Sequence, residues 1–235
     1  MSSTNVEGGE PYCARRVLRY WCVTIGLLLL LGLLAYYVLA PILRTRAIVA
    51  RYKGMCTWTA EQSRGATNGQ AILTNSRPIS ARALRRDVEC SRSSIKKLGG
   101  CAPAARALSS YVGFPDWLCP NKAVAVVLLS HCGKHPRVSE EQVGKTPDGE
   151  PLVAYSIGAG EATKALDVVL SALARCARRS RPEVSAEAVY ALGWIGVNND
   201  TAVASLEAVR DSSSSPQYVR DIARNALEEI RKTQE

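Results

Sequence analysis

The chain has 235 residues, of which 47% are hydrophobic and 22% charged, with a formal net charge of +9. That length excludes a large multidomain protein and leaves room for one domain with a hydrophobic core, with or without an irregular extension. The charge is uneven, because residues 44–130 carry fourteen basic against four acidic residues, whereas residues 131–235 are close to balanced.

The stretch Tyr20–Leu43 contains 24 residues without a charge. A helix of that length rises roughly 36 Å, which exceeds the roughly 30 Å hydrocarbon core of a bilayer. It therefore predicts a transmembrane helix over 20–43 in a single-pass membrane protein. The apolar run is longer than the roughly 7–15 residues of a signal-peptide core, so an uncleaved anchor is expected. Residues 1–19 before it predict a disordered cytoplasmic tail.

The orientation of this anchor is not decided by charge alone. Three arginines precede the span, and four basic residues follow it within a similar distance. Translocating a short tail with three arginines is unfavourable, and long C-terminal domains cross largely regardless of charge. These arguments predict an N-in, C-out topology with an extracytoplasmic C-terminal domain. The basic block argues for the opposite topology, because it suits an anionic cytoplasmic leaflet.

Residues 44–78 predict a basic juxtamembrane segment, and a second basic block lies at 77–97. The second block lacks interleaved aromatic residues that would stack on bases, so a solvated basic face near a membrane is expected and nucleic acid is not. The candidates for contact with a membrane or another anion are Arg44, Arg46, Arg51, Lys53, Arg82, Arg85 and Arg86.

Short helical patterns separated by glycine and proline follow at 79–133, as degenerate helical repeats would give. Residues 134–160 contain three prolines and four glycines, which predict an irregular loop or linker. The expected fold is therefore all-α, with one transmembrane helix followed by a domain of helical hairpins at 79–133 and 161–235.

The C-terminal segment 161–235 contains an internal repeat. Its second and fourth predicted helices superpose with an offset of 35 residues, which places Val184 on Val219 and Leu192 on Leu227. A period in this range is typical of helical solenoids. The predicted repeat core is Val184, Ala188, Leu192, Ile195, Val203, Leu206, Val219, Ala223, Leu227 and Ile230.

The run PEVSAEAVYALGWIG, an Asn/Asp turn and TAVASLEAV resemble short bacterial HEAT repeats, which also occur in phycobilisome-lyase-like proteins. Pro182, Gly193 and Gly196 match that pattern, while Ser185 and Glu228-Glu229 depart from it. The resemblance covers about residues 160–232. It implies an α-solenoid that acts as a scaffold and says almost nothing about activity.

Candidate chemistry is sparse. The two histidines, His131 and His135, lie with Cys119 and Cys132 in a spacing that is not a familiar zinc motif. No phosphate-binding glycine motif is present. We therefore predict no catalytic residue, no metal and no cofactor site. The six cysteines beyond the span (Cys56, Cys90, Cys101, Cys119, Cys132 and Cys176) fit either disulfides or buried free thiols.

These observations predict a non-catalytic, membrane-anchored HEAT-like scaffold that binds an unknown protein partner through its helical-repeat surface. Two alternatives stay open. One is an enzyme or enzyme subunit of the bilin-lyase-like HEAT group, and it follows from the resemblance alone. The other is a module that binds lipid or nucleic acid through the 77–97 block.

Overall fold

The computed structural model describes residues 11–55, 81–145, 149, 151–179, 181–197 and 199–232. These residues are mostly helical, as predicted, and the exception is one β-hairpin. The chain divides into two compact units, Met1–Leu43 and Arg44–Glu235. Most of the predicted tail, Cys56 and residues 56–78 of the juxtamembrane segment lie outside the described residues.

The N-terminal unit is built on one apolar helical run. Helix α1 (Pro11–Leu34) continues into a π-helical turn (Ala35–Leu39), and helix α2 (Ala40–Met55) begins at the next residue. The wide turn precedes Pro41, whose ring would clash with the carbonyl four residues earlier in a regular α-helix. The N–H of Ala40 bonds instead to the carbonyl of Ala35, five residues back.

The C-terminal unit begins with residues 44–55 of α2 and then contains the following elements in chain order: α3 (Ala81–Lys97), α4 (Cys101–Gly113), α5 (Lys122–Gly133), β1 (Lys134–Lys145), β2 (Pro151–Ala162), α6 (Leu166–Arg179), α7 (Pro182–Ile195), α8 (Asp200–Arg210) and α9 (Gln217–Lys232).

Local chemistry explains several of these boundaries. Helix α3 ends in a Schellman turn, in which the N–H groups of Gly99 and Gly100 bond to the carbonyls of Lys96 and Ile95. Both glycines have a positive φ near 97°, a conformation that other residues rarely adopt. Helix α8 is capped by Asn199, whose Oδ1 accepts a hydrogen bond from the Ala202 N–H at 3.1 Å.

The helices of this unit contact one another in a regular sequence. Each helix from α3 to α7 contacts the next one and also the one after it, and α8 contacts α9, so that α3, α5, α7 and α9 follow one another, as do α4, α6 and α8. The segments 79–133 and 161–235, which the sequence treats as separate regions, therefore pack into a single unit.

The prediction of an irregular loop at 134–160 is wrong. Strands β1 and β2 form an antiparallel hairpin, with Glu140 opposite Tyr155 and Val138 opposite Ile157. Prolines and glycines suggested a break, but Pro136 lies beside a register shift at the start of β1, where a missing N–H is tolerated. The hairpin contacts α3 through both strands.

The predicted repeat core lies inside the helical stack. Val184, Ala188, Leu192, Ile195, Leu206, Val219, Ala223, Leu227 and Ile230 are buried. Val203 is only partly buried, because the buried stripe of α8 follows Ala202, Ser205, Leu206 and Val209 and leaves it at the edge. Helices α7 and α9 approach closely at Gly193, where an added Cβ would lie 2.8 Å from the Cβ of Ala226.

Candidate functional site

The basic residues that follow the span lie in residues 44–55 of helix α2, which belong to the C-terminal unit. Thr45, Val49 and Tyr52 form a buried stripe at helical spacing on this helix. Arg44 donates a hydrogen bond from Nη2 to the carbonyl of Lys97 at 2.7 Å. Lys53 donates from Nζ to Asn121 Oδ1 at 2.9 Å. Arg44 and Lys53 are thus engaged within the domain.

The remaining basic candidates lie exposed at two separate places. Arg46 and Arg51 are exposed on α2, and Arg82, Arg85 and Arg86 are exposed on α3. Arg85 Nη2 lies 3.6 Å from Glu140 Oε1, an exposed ion pair worth less than about 1 kcal/mol. Arg44 meets the C-terminal end of α3, roughly 16 Å of helix rise from Arg86, so the seven candidates do not form one cluster. Arg77 lies outside the described residues.

A cavity of about 410 Å³ lies between α4, α5, α6 and the start of α7. We call it the Asp116 pocket. Its polar lining is Ser109, Asp116, Lys122, Arg175, Cys176 and Arg181. Val112, Gly113, Ala172 and Val184 form the apolar part of the wall. The lining charges of three cations and one carboxylate give the pocket a net charge of +2.

Asp116 holds two of the three cations. Its Oδ1 lies 2.8 Å from Lys122 Nζ, and its Oδ2 lies 2.6 Å from Arg181 Nε. The hydrogen bond from Lys122, with the further attraction of Arg181, holds the pKa of Asp116 below its ordinary value. The carboxylate therefore stays ionised near neutral pH and positions one cation from α5 and another from the start of α7.

Two helix N-termini lie at this pocket. Lys122 is the first residue of α5, and Arg181 is the N-cap residue of α7. Neither helix receives a capping hydrogen bond from its N-cap side chain. The free N–H groups of a first helical turn carry a partial positive charge, which adds to the field of the three cations.

Two further groups in the pocket are chemically notable. The Ser109 Oγ is buried and makes no hydrogen bond among the described residues. No described carboxylate pairs with Arg175, which lies exposed on α6. A buried hydroxyl without a partner costs free energy, whereas the exposed Arg175 guanidinium is accessible from the pocket.

His131 lies elsewhere, in the core beside Trp194, with ring centroids 5.3 Å apart. Burial lowers the pKa of His131 to about 4, so the imidazole is neutral at pH 7. Burial also raises the pKa of the Cys132 thiol. His135 is exposed. In the part of the chain that the structure describes, no group of three metal-ligating side chains assembles around these residues.

None of the described cysteines beyond the span forms a disulfide. Cys119, Cys132 and Cys176 are buried, and Cys90 and Cys101 are partly buried. Burial raises the pKa of Cys119, which lowers the fraction of the thiol present as reactive thiolate. Of the two alternatives for the cysteines, disulfides or buried thiols, the described cysteines match buried thiols that pack as small apolar side chains.

Comparison with known proteins adds no assignment, since no protein family, no characterised protein and no solved structure matches the chain. Sequence reasoning also missed the Asp116 pocket. The two cations that pair with Asp116, Lys122 and Arg181, lie 59 residues apart, and each resembles an ordinary surface residue in the sequence. The only local signal was the turn FPDWLCP, with an acidic residue between two helices.

Proposed function

We propose that the chain is a single-pass membrane protein whose C-terminal helical domain acts as a non-catalytic scaffold and binds a protein partner through its repeat surface. The observation that carries this proposal is the succession of contacts between each helix and the second one after it. In a helical solenoid each hairpin buries its apolar face against its neighbour, which produces this succession.

The packing at the C-terminal end supports the same proposal. Helices α7 and α9, which the 35-residue period relates, contact each other directly through Gly193 and Ala226. Helix α9 presents exposed polar residues, among them Arg224, Asn225 and Glu228. A polar outer face is a property of the capping repeats of helical solenoids.

The membrane anchor rests on the N-terminal helical run. Residues Arg19–Met55 form a helix long and apolar enough to cross a membrane. Its most apolar stretch of 18 residues has a mean hydropathy of 2.4 and contains no buried residue. We propose that the segment 20–43 spans the bilayer with the N-terminus in the cytoplasm. A reporter fused to the C-terminus tests this topology, and a reporter active on the cytoplasmic side overturns it.

The scaffold proposal is tested by photo-crosslinking in cells with the full chain. A crosslinking amino acid is placed at exposed repeat positions, Ala204, Ala208 and Asn225, and at matched exposed positions on α3, Glu89 and Ser93. We expect one defined protein to crosslink from the repeat positions alone. Equal crosslinking from both sets, or none from the repeat, contradicts the proposal.

The alternatives predict different results. An enzyme of the bilin-lyase-like type would bind or turn over a tetrapyrrole, which the scaffold does not. A module that uses the basic block would bind anionic lipid or nucleic acid in a salt-dependent manner and lose that binding when Arg82, Arg85 and Arg86 are changed to alanine.

A further inference from the structure

We infer that the Asp116 pocket is a binding site for a small organic phosphate monoester in its dianionic form. The inference does not depend on the scaffold proposal, because it follows from the lining of one cavity.

The net charge of the pocket lining indicates the charge of the group that it binds. Three cations and one carboxylate leave the pocket with a net charge of +2. A phosphate monoester carries about −1.5 to −2 near pH 7, whereas a simple carboxylate carries −1, so the monoester balances the pocket better. The negative charge of Asp116 is offset locally, since its two oxygens pair with Lys122 and Arg181, so it does not exclude an anionic ligand.

Geometry supplies the donors. Arg175 has no carboxylate partner among the described residues, so its guanidinium is free to form a bidentate pair with phosphate oxygens. The uncapped first turn of α7 begins at the same pocket with Arg181. Such a helix start favours an anion.

Size and wall chemistry indicate that the ligand has an organic part. The cavity of about 410 Å³ lies within the roughly 300–1,000 Å³ of small-molecule sites and exceeds the space that a bare phosphate needs. Val112, Ala172 and Val184 form the apolar part of its wall. The phosphate belongs to a soluble ester or to a lipid headgroup, which share this chemistry.

The test is calorimetric titration of the full chain in phosphatidylcholine nanodiscs with phenyl phosphate, benzoate and inorganic phosphate. We expect phenyl phosphate to bind most tightly, because it combines the dianion with an apolar ring. Arg175→Ala should weaken its binding about tenfold or more, since a charged hydrogen-bonded pair is lost. Arg178→Ala is the matched control, because Arg178 is exposed on the same helix but does not line the pocket.

Each outcome decides the inference. Absence of phenyl phosphate binding, equal losses in Arg175→Ala and Arg178→Ala, or tighter binding of benzoate overturns it. Arg175→Gln guards against misfolding, because it keeps a polar side chain at this exposed position and removes the guanidinium; it should also weaken binding. Adding phosphatidic acid to the nanodiscs separates the sources: competition with phenyl phosphate identifies a lipid headgroup, and unchanged affinity identifies a soluble ester.

Discussion

Two apolar helices of this chain have opposite surroundings. In the segment 20–43, the leucines from Leu27 to Leu31 are 51–65% exposed. In α5 (Lys122–Gly133), ten consecutive residues from Val124 to Gly133 are buried. Both segments are apolar on all faces, yet α5 is about 18 Å long and cannot cross a bilayer. Length therefore separates a candidate anchor from a core helix when composition does not.

The largest expected effect is the difference in domain stability when one leucine side chain in each of the two helices is shortened to alanine. Leu129→Ala in α5 should destabilise the domain by about 2–5 kcal/mol, because Leu129 is fully buried and its removal leaves a cavity. Leu29→Ala in the apolar segment should leave domain stability unchanged, since Leu29 is 64% exposed. Chemical denaturation of the full chain in detergent measures both, and equal losses would remove the distinction.

A charge placed in the apolar segment tests its role as an anchor. Leu29→Arg should disfavour membrane insertion by about 2.5–3.5 kcal/mol, because it puts a guanidinium near the middle of the hydrocarbon core. The measurement is the fraction of chain that resists extraction from membranes at alkaline pH. Thr201→Arg, at an exposed position of α8, is the control and should stay membrane-bound. Full retention of Leu29→Arg would argue against a span.

The close contact within the helical stack gives a smaller effect. Gly193→Ala should cost about 1–3 kcal/mol, because the new Cβ would lie 2.8 Å from the Cβ of Ala226 and force α7 and α9 apart. Gly54→Ala in α2 is the matched helical control, with nothing within 4 Å of its added Cβ. It should be neutral or stabilising by up to about 1 kcal/mol. Thermal denaturation compares the two variants.

The smallest expected effect is a pH dependence of domain stability caused by a buried ionisable group. The charge-free segment 20–43 contains no such group. Burial raises the pKa of Glu187 from 4.5 to about 7. The folded state then holds this proton to a higher pH than the unfolded state, so its contribution to stability falls as pH rises from about 4.5 to 7. Glu187→Gln should remove that loss and gain roughly 1–2 kcal/mol at pH 8 relative to pH 5.

His131 acts in the opposite direction. Its folded pKa of about 4 lies below the ordinary 6.5, so stability falls as pH drops from about 6.5 to 4. Both chains contain His131, so its contribution cancels when the Glu187→Gln profile is subtracted from that of the unsubstituted chain between pH 5 and 8. A Glu187→Gln profile that is parallel to that of the unsubstituted chain would contradict the buried carboxylate.

Much of the helical architecture follows from the sequence because its signals are local. Gly99-Gly100 ends α3, Pro182 begins α7, and the apolar spacing predicts which face of each helix is buried. The cap of α8 shows the limit of such signals, since Asn199 and Asp200 both carry capping side chains and Asn199 is the cap. The two neighbouring residues have similar capping propensities, and backbone geometry decided between them.

The hairpin was missed for a different reason. The alternation of Val153, Tyr155 and Ile157 is a strand pattern, but the nearby prolines and glycines suggested a loop. A hairpin of this kind is stabilised by pairing with its partner strand and by contact with α3, and neither is visible in a local window.

By itself the sequence determined the features that depend on neighbouring residues: a charge-free segment long enough to cross a membrane, a 35-residue helical period and the helix boundaries set by glycine and proline. Only the tertiary structure decided which distant residues meet. It placed Arg44 on the end of α3, laid the hairpin against the same helix, and brought Lys122 and Arg181 to one carboxylate. Ion pairs and pockets depend on positions in space, and a sequence with few local constraints on its basic residues does not specify those positions.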